Sequence, residues 1–97
     1  MNLKMILTRF LGALRHVTGV SEIAVNIEDN ISIMEMLKEI ARELPALKQS
    51  LNDQKSEELK SNALIMVNGR EISVLDGLET KLKDGDELVL IPVVHGG

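Results

Sequence analysis

The spacing of apolar residues changes along the chain, and each spacing predicts an element. Over residues 22–28, Ile23, Val25 and Ile27 fall on one face, with Glu22, Ala24, Asn26 and Glu28 on the other. Strand side chains alternate sides, so this segment predicts a half-buried strand. Residues 4–11 (Lys-Met-Ile-Leu-Thr-Arg-Phe-Leu) are rich in strand formers but alternate imperfectly. A first strand is expected there, with its inward side left open. Later, Ile33, Met36, Leu37, Ile40, Ala41 and Leu44 recur at helical spacing. Ser32 and Glu35 have the spacing of a capping box, in which each side chain satisfies the other residue's free backbone N–H. Pro45 marks the end, because proline clashes with a preceding helical turn. The expected helix spans 33–44, and Met34 and Met36 are read as ordinary packing residues.

The remaining segments are set by turn residues. Leu14 to Gly19 reads as a short turn of helix or a loop closed by Gly19. Residues 45–62 are polar and lack a strong period, although Leu47, Leu51 and Leu59 could anchor a short helix; an exposed connection is expected. Ala63 to Val67 predicts a strand. Asn68-Gly69 predicts a two-residue hairpin turn, because both residues tolerate the positive φ it needs. Glu71 to Val74 is expected to return as a short strand, and Leu75 to Leu82 is irregular. Asp84-Gly85-Asp86 is a turn, and Glu87 to Val93 a long apolar strand. One amphipathic helix can cover one face of a sheet, which predicts a two-layer α+β domain over residues 1–97, with 92–97 as a projecting tail.

Composition narrows what such a domain can do. The 97 residues are 44% hydrophobic and 27% charged, so the chain is globular rather than disordered. Phe10 is the only aromatic residue, so the core must be aliphatic. The absence of cysteine excludes disulfides, thiolate metal sites and a cysteine nucleophile on this chain. The net charge of −4 disfavours direct nucleic-acid binding, and no apolar run is long enough to predict a membrane-spanning helix. Met1 to Thr18 has basic residues and no acid, loosely like a transit peptide. Arg9 interrupts any signal-type apolar core, so a first strand is the reading adopted. A cytoplasmic location is expected.

Little of the chain offers chemistry of its own. His16 reads as a surface histidine, and no metal site is expected. Asp84 and Asp86 flank a glycine as turn residues do. There is no phosphate-binding glycine loop and no nucleophile elbow. The Gly96-Gly97 ending is different. Two glycines at given positions have a chance frequency of about half a percent. Lacking Cβ atoms, they can enter a channel too narrow for side chains and deliver a carboxylate. Pro92 to Gly97 spans at most about 20 Å when extended. The carboxylate of Gly97 is therefore the candidate reactive group, with Gly96, His95 and Val94 threading behind it.

Val-Asn-Gly-Arg at 67–70, Leu-Lys-Asp-Gly-Asp-Glu-Leu at 82–88 and Ile-Pro-Val-Val-His-Gly-Gly at 91–97 resemble the ubiquitin-like sulfur-carrier family. That family includes the small subunit of molybdopterin synthase, the thiamin sulfur carrier and the ubiquitin-related modifiers. Phe10, Leu14-Arg15 and Thr18-Gly19 match its beginning as well. The resemblance implies a β-grasp fold, with a mixed sheet of four to five strands, the first and last strands parallel neighbours, and one main helix on one face. It implies a carrier rather than an enzyme. An E1-like partner using ATP and magnesium would adenylate Gly97 and convert it to a thiocarboxylate that donates sulfur for molybdopterin synthesis, and this chain would bind no cofactor itself. Leu11 and Ile91 would belong to the apolar docking patch beside the tail, for which core packing is the competing reading. The molybdopterin-type carriers usually have a small residue before Gly-Gly. His95 is more like the ubiquitin-related modifier, which implies tRNA thiolation or attachment to lysines of target proteins as the alternative. A non-covalent β-grasp binding module is the alternative of another class. The implied partners are thus the activating enzyme and either the large subunit of molybdopterin synthase or a tRNA-thiolating enzyme.

Overall fold

A computed structural model describes residues 4–28, 30–45 and 63–92. The connection at 46–62 and the residues Val94, His95, Gly96 and Gly97 lie outside the described residues. The elements in order are β1 (Lys4–Phe10), α1 (Ala13–Thr18), β2 (Glu22–Ile27), α2 (Ile33–Glu43), β3 (Ala63–Val67), β4 (Arg70–Glu71) and β5 (Glu87–Pro92). The five strands form one mixed sheet in the order β2-β1-β5-β3-β4. β1 and β5 are the parallel pair, with Phe10 opposite Leu90, and the remaining pairs are antiparallel. This is the β-grasp arrangement the resemblance implies.

The sheet's inner face explains the imperfect alternation of β1. Ile6, Thr8 and Phe10 point inward and are fully buried. Val25 and Ile27 from β2, Ile65 and Val67 from β3, and Leu88 and Leu90 from β5 complete that face. α2 covers it with Ile33, Met36, Leu37 and Ile40. Each such side chain contributes roughly 1.5–3 kcal/mol when fully buried. Thr8 is the exception, because its Oγ1 is buried without a hydrogen-bond partner among the described residues. Its position on the inner face follows from the strand's pleat and from no polar requirement.

The expected capping box is present. Ser32 Oγ accepts from the Glu35 N–H at 3.1 Å, and Glu35 Oε1 accepts from the Ser32 N–H at 3.1 Å. α1 closes on Gly19, whose φ of 80° is left-handed and whose N–H donates to the Arg15 carbonyl at 2.9 Å.

One expectation is corrected. The segment 71–74 does not return as a strand: β4 stops at Glu71, and Ile72–Val74 is a turn of 3₁₀ helix. The Glu71 carboxylate accepts from the Ser73 N–H at 3.0 Å and so caps that turn. Ile72 is thereby driven into the core, 2% exposed. Burial of one isoleucine and a satisfied cap replace strand pairing. The irregular stretch after it holds a second 3₁₀ turn, Gly77–Glu79, and then Lys81 bridges to Ser32 at the start of α2.

Candidate functional site

The segments carrying the family resemblance prove to be largely structural. Asn68 and Gly69 have φ of 51° and 84°, as the expected hairpin turn requires. The Asn68 side chain then joins this hairpin to the start of β5. Its Nδ2 donates to Asp86 Oδ1 and its Oδ1 accepts from the Glu87 N–H, both at 2.9 Å. Asp86 Oδ2 accepts from the Lys83 N–H at 2.7 Å, and Asp84 Oδ1 from the Met5 N–H at 2.8 Å. Both aspartates are thus occupied in fixing the Asp-Gly-Asp turn against β1 and β3. They position the first residue of β5 and are not poised for catalysis.

β5 is the strand that precedes residues 93–97 in the chain. It lies between β1 and β3, the central place in the sheet. Its inward residues, Leu88 and Leu90, are core; its outward residues, Glu87, Val89 and Ile91, alternate with them. Ile91 stands opposite Leu64, and Val89 is flanked by Met66 on β3 and Arg9 on β1. The Leu11 N–H donates to the Leu90 carbonyl at 3.0 Å and carries the parallel ladder one residue beyond β1. Leu11 and Ile91 are half-buried and belong neither to the core nor to the residues packed on it. Core packing, the competing reading, is thus not what the core cluster shows for either residue, and Ile91 lies on the outer side of the sheet.

This outer face is apolar well beyond those two residues. Met5 is 51% exposed and Leu64 37% exposed, and Leu7, Met66 and Val89 are half-buried on the same side. Arg9 and Glu87 form an ion pair across it at 3.6 Å. Leu64, Met66 and Val89 were not singled out from sequence. The available signal was the unbroken apolar character of 63–67 and 87–93, which marks strands apolar on both faces.

Among the described residues no group of three or more His, Asp or Glu side chains is placed to hold a metal ion. A hollow between β2 and α2 carries Glu28, Glu35 and Glu39, but Glu35 is committed to the helix cap and Glu39 pairs with Arg42 at 3.1 Å. Hydrogen bonds from the Ser32 backbone N–H first and its hydroxyl second hold the Glu35 carboxyl below the usual carboxylate range. His16 is exposed on α1. Among the described helices none is long and apolar enough to cross a membrane.

Comparison with known proteins agrees with this architecture. The family model described as ThiS family matches residues 8–97. Small archaeal modifier protein 3 of Haloferax volcanii is 33% identical over 89 residues, which cover 92% of this chain and 95% of that protein. The solution structure of small archaeal modifier protein 1 from Methanosarcina acetivorans superposes with a TM-score of 0.78 at 28% identity, covering all of both chains. A complex of subunits 1 and 2 of the molybdopterin-converting factor from Helicobacter pylori contains a chain that superposes with a TM-score of 0.58 at 28% identity, covering 96% of this chain and 99% of that one. On its sequence and its β-grasp sheet, this chain belongs to the ThiS family of small ubiquitin-like carrier and modifier proteins.

Proposed function

We propose that this protein is a sulfur carrier activated at the carboxylate of Gly97 by an E1-like partner. A carboxylate oxygen of Gly97 attacks the α-phosphorus of ATP, aided by the partner's magnesium, and pyrophosphate leaves. Hydrosulfide then attacks the acyl carbon and AMP leaves, which gives the thiocarboxylate directly. Where the nucleophile is a persulfide of the partner, an acyl disulfide forms and a second partner thiol cleaves its S–S bond, releasing the thiocarboxylate and leaving the partner's two sulfurs as a disulfide. Val94, His95 and Gly96 thread the partner's channel, and Leu11, Ile91, Leu64, Met66 and Val89 dock the body. The single observation that carries this reading is the placement of β5. The central strand runs to Pro92 beside an apolar outer face, and no group of three or more His, Asp or Glu among the described residues is placed to hold a metal ion.

The sulfur is delivered either to a molybdopterin precursor, in company with a large synthase subunit as in the Helicobacter pylori complex, or to a tRNA-thiolating enzyme, as His95 favours. Deleting Gly97 tests activation. The melting temperature is expected to stay constant while ATP-dependent modification is lost. Retention of biological activity by the deletion variant would instead support the non-covalent module.

The modifier relatives favour a second reading, covalent attachment to lysines from the same adenylate. Lys83 is the last basic cleavage point, so trypsin would leave residues 84–97 on the modified lysine. Finding that remnant on cellular proteins supports conjugation, and its absence under all growth conditions counts against it.

A further inference from the structure

The junction between body and tail is built around an unusual contact. Gly12, at the corner between β1 and α1, has φ 58° and ψ −138°, a conformation open in practice to glycine alone. A Cβ placed there would lie 3.1 Å from Cγ of Pro92 and 3.5 Å from its Cδ. A side chain at position 12 would therefore press on the Pro92 ring, which would have to give by a few tenths of an ångström. On its other side Pro92 stands opposite Ala63, again a small residue. The ladder bond from the Leu11 N–H to the Leu90 carbonyl holds the glycine corner in place. Proline also fixes its own φ near −65°. Three constraints thus act on Pro92, the last residue of β5.

We propose that Gly12 and Pro92 form a seat that fixes the backbone at Pro92, the base of the segment that ends in Gly97, and that both are positioning residues for the reaction at Gly97. The inference rests on the carrier reading above. A carrier docked by its outer face while its end is threaded engages the partner at two places. Both engage at once only if the connection between them points the right way. Docking through the outer face would set the affinity, and the direction at Pro92 would set how often the carboxylate arrives in a reactive pose.

The test is ATP–pyrophosphate exchange with the ATP-dependent adenylating enzyme of the same cell, using the full chain and its Pro92→Ala and Pro92→Gly variants. The expected result is a kcat lowered roughly fivefold to tenfold, more for glycine, with KM changed less than about twofold. Melting temperatures should stay close to wild type, since Pro92 ends its strand. Unchanged kcat in both variants would overturn the seat's role, as would a loss expressed wholly in KM. A wild-type chain that supports no exchange would overturn the carrier reading and the role together. The seat itself is then read separately from nuclear Overhauser contacts between the Gly12 α-protons and the Pro92 ring, which are expected in the free wild-type protein.

Discussion

At the scale of single residues, Thr8 is the clearest liability in the fold. Its hydroxyl is fully buried on the inner face beside Ile6, Phe10 and Leu88 and has no hydrogen-bond partner among the described residues. A buried hydroxyl without a hydrogen bond costs about 1–3 kcal/mol. Thr8→Val keeps the β-branched shape and removes the polar atom. It is expected to stabilise the protein by roughly 1 kcal/mol, which thermal or denaturant unfolding would measure. A lower melting temperature would show that the hydroxyl has a partner in solution.

The elements owe their boundaries to a few polar side chains. Ser32 and Glu35 cap α2 reciprocally, and Ser32→Ala is expected to cost about 1 kcal/mol. The Glu35 carboxyl is held below its ordinary range, chiefly by the Ser32 backbone N–H. A depressed carboxylate contributes stability above its unfolded value and loses it as pH falls through the lower folded value. The melting-temperature gap between wild type and Glu35→Gln should therefore narrow on acidification through that window. A gap that widens would contradict the cap's role. Asp86→Ala removes acceptors for Asn68 and Lys83 and is expected to cost about 1 kcal/mol, seen as a lower denaturation midpoint.

These elements also show what the sequence made legible. The helix, the hairpin turn at Asn68-Gly69 and the clean alternation of β2 each rest on local rules, and each was readable. The short return strand was not, because Glu71 caps a turn and Ile72 is taken into the core, a tertiary effect. The outer face was only half readable. Continuous apolar runs at 63–67 and 87–93 cannot say which residues point where; register does. Gly97 stood out because chain chemistry, not packing, marks it. The Gly12–Pro92 contact joins residues 80 positions apart and leaves no local pattern.

For the whole molecule, the division of labour is the central feature. The inner face of the sheet is used for stability under α2, whereas the outer face keeps Met5 and Leu64 exposed beside half-buried Val89 and Ile91. Such a patch is characteristic of surfaces that bind partners. Leu64→Lys is expected to shift melting little while weakening the partner complex about tenfold, readable by calorimetric titration. Equal affinity would move the docking surface elsewhere. The central claim is activation at Gly97, and intact mass of the full chain tests it most directly, after incubation with its adenylating enzyme, ATP, magnesium and a sulfur donor. The expected result is a mass gain equal to exchange of one oxygen for sulfur, located at Gly97 by fragmentation and abolished without ATP. An unchanged mass with an enzyme shown to be active would contradict it.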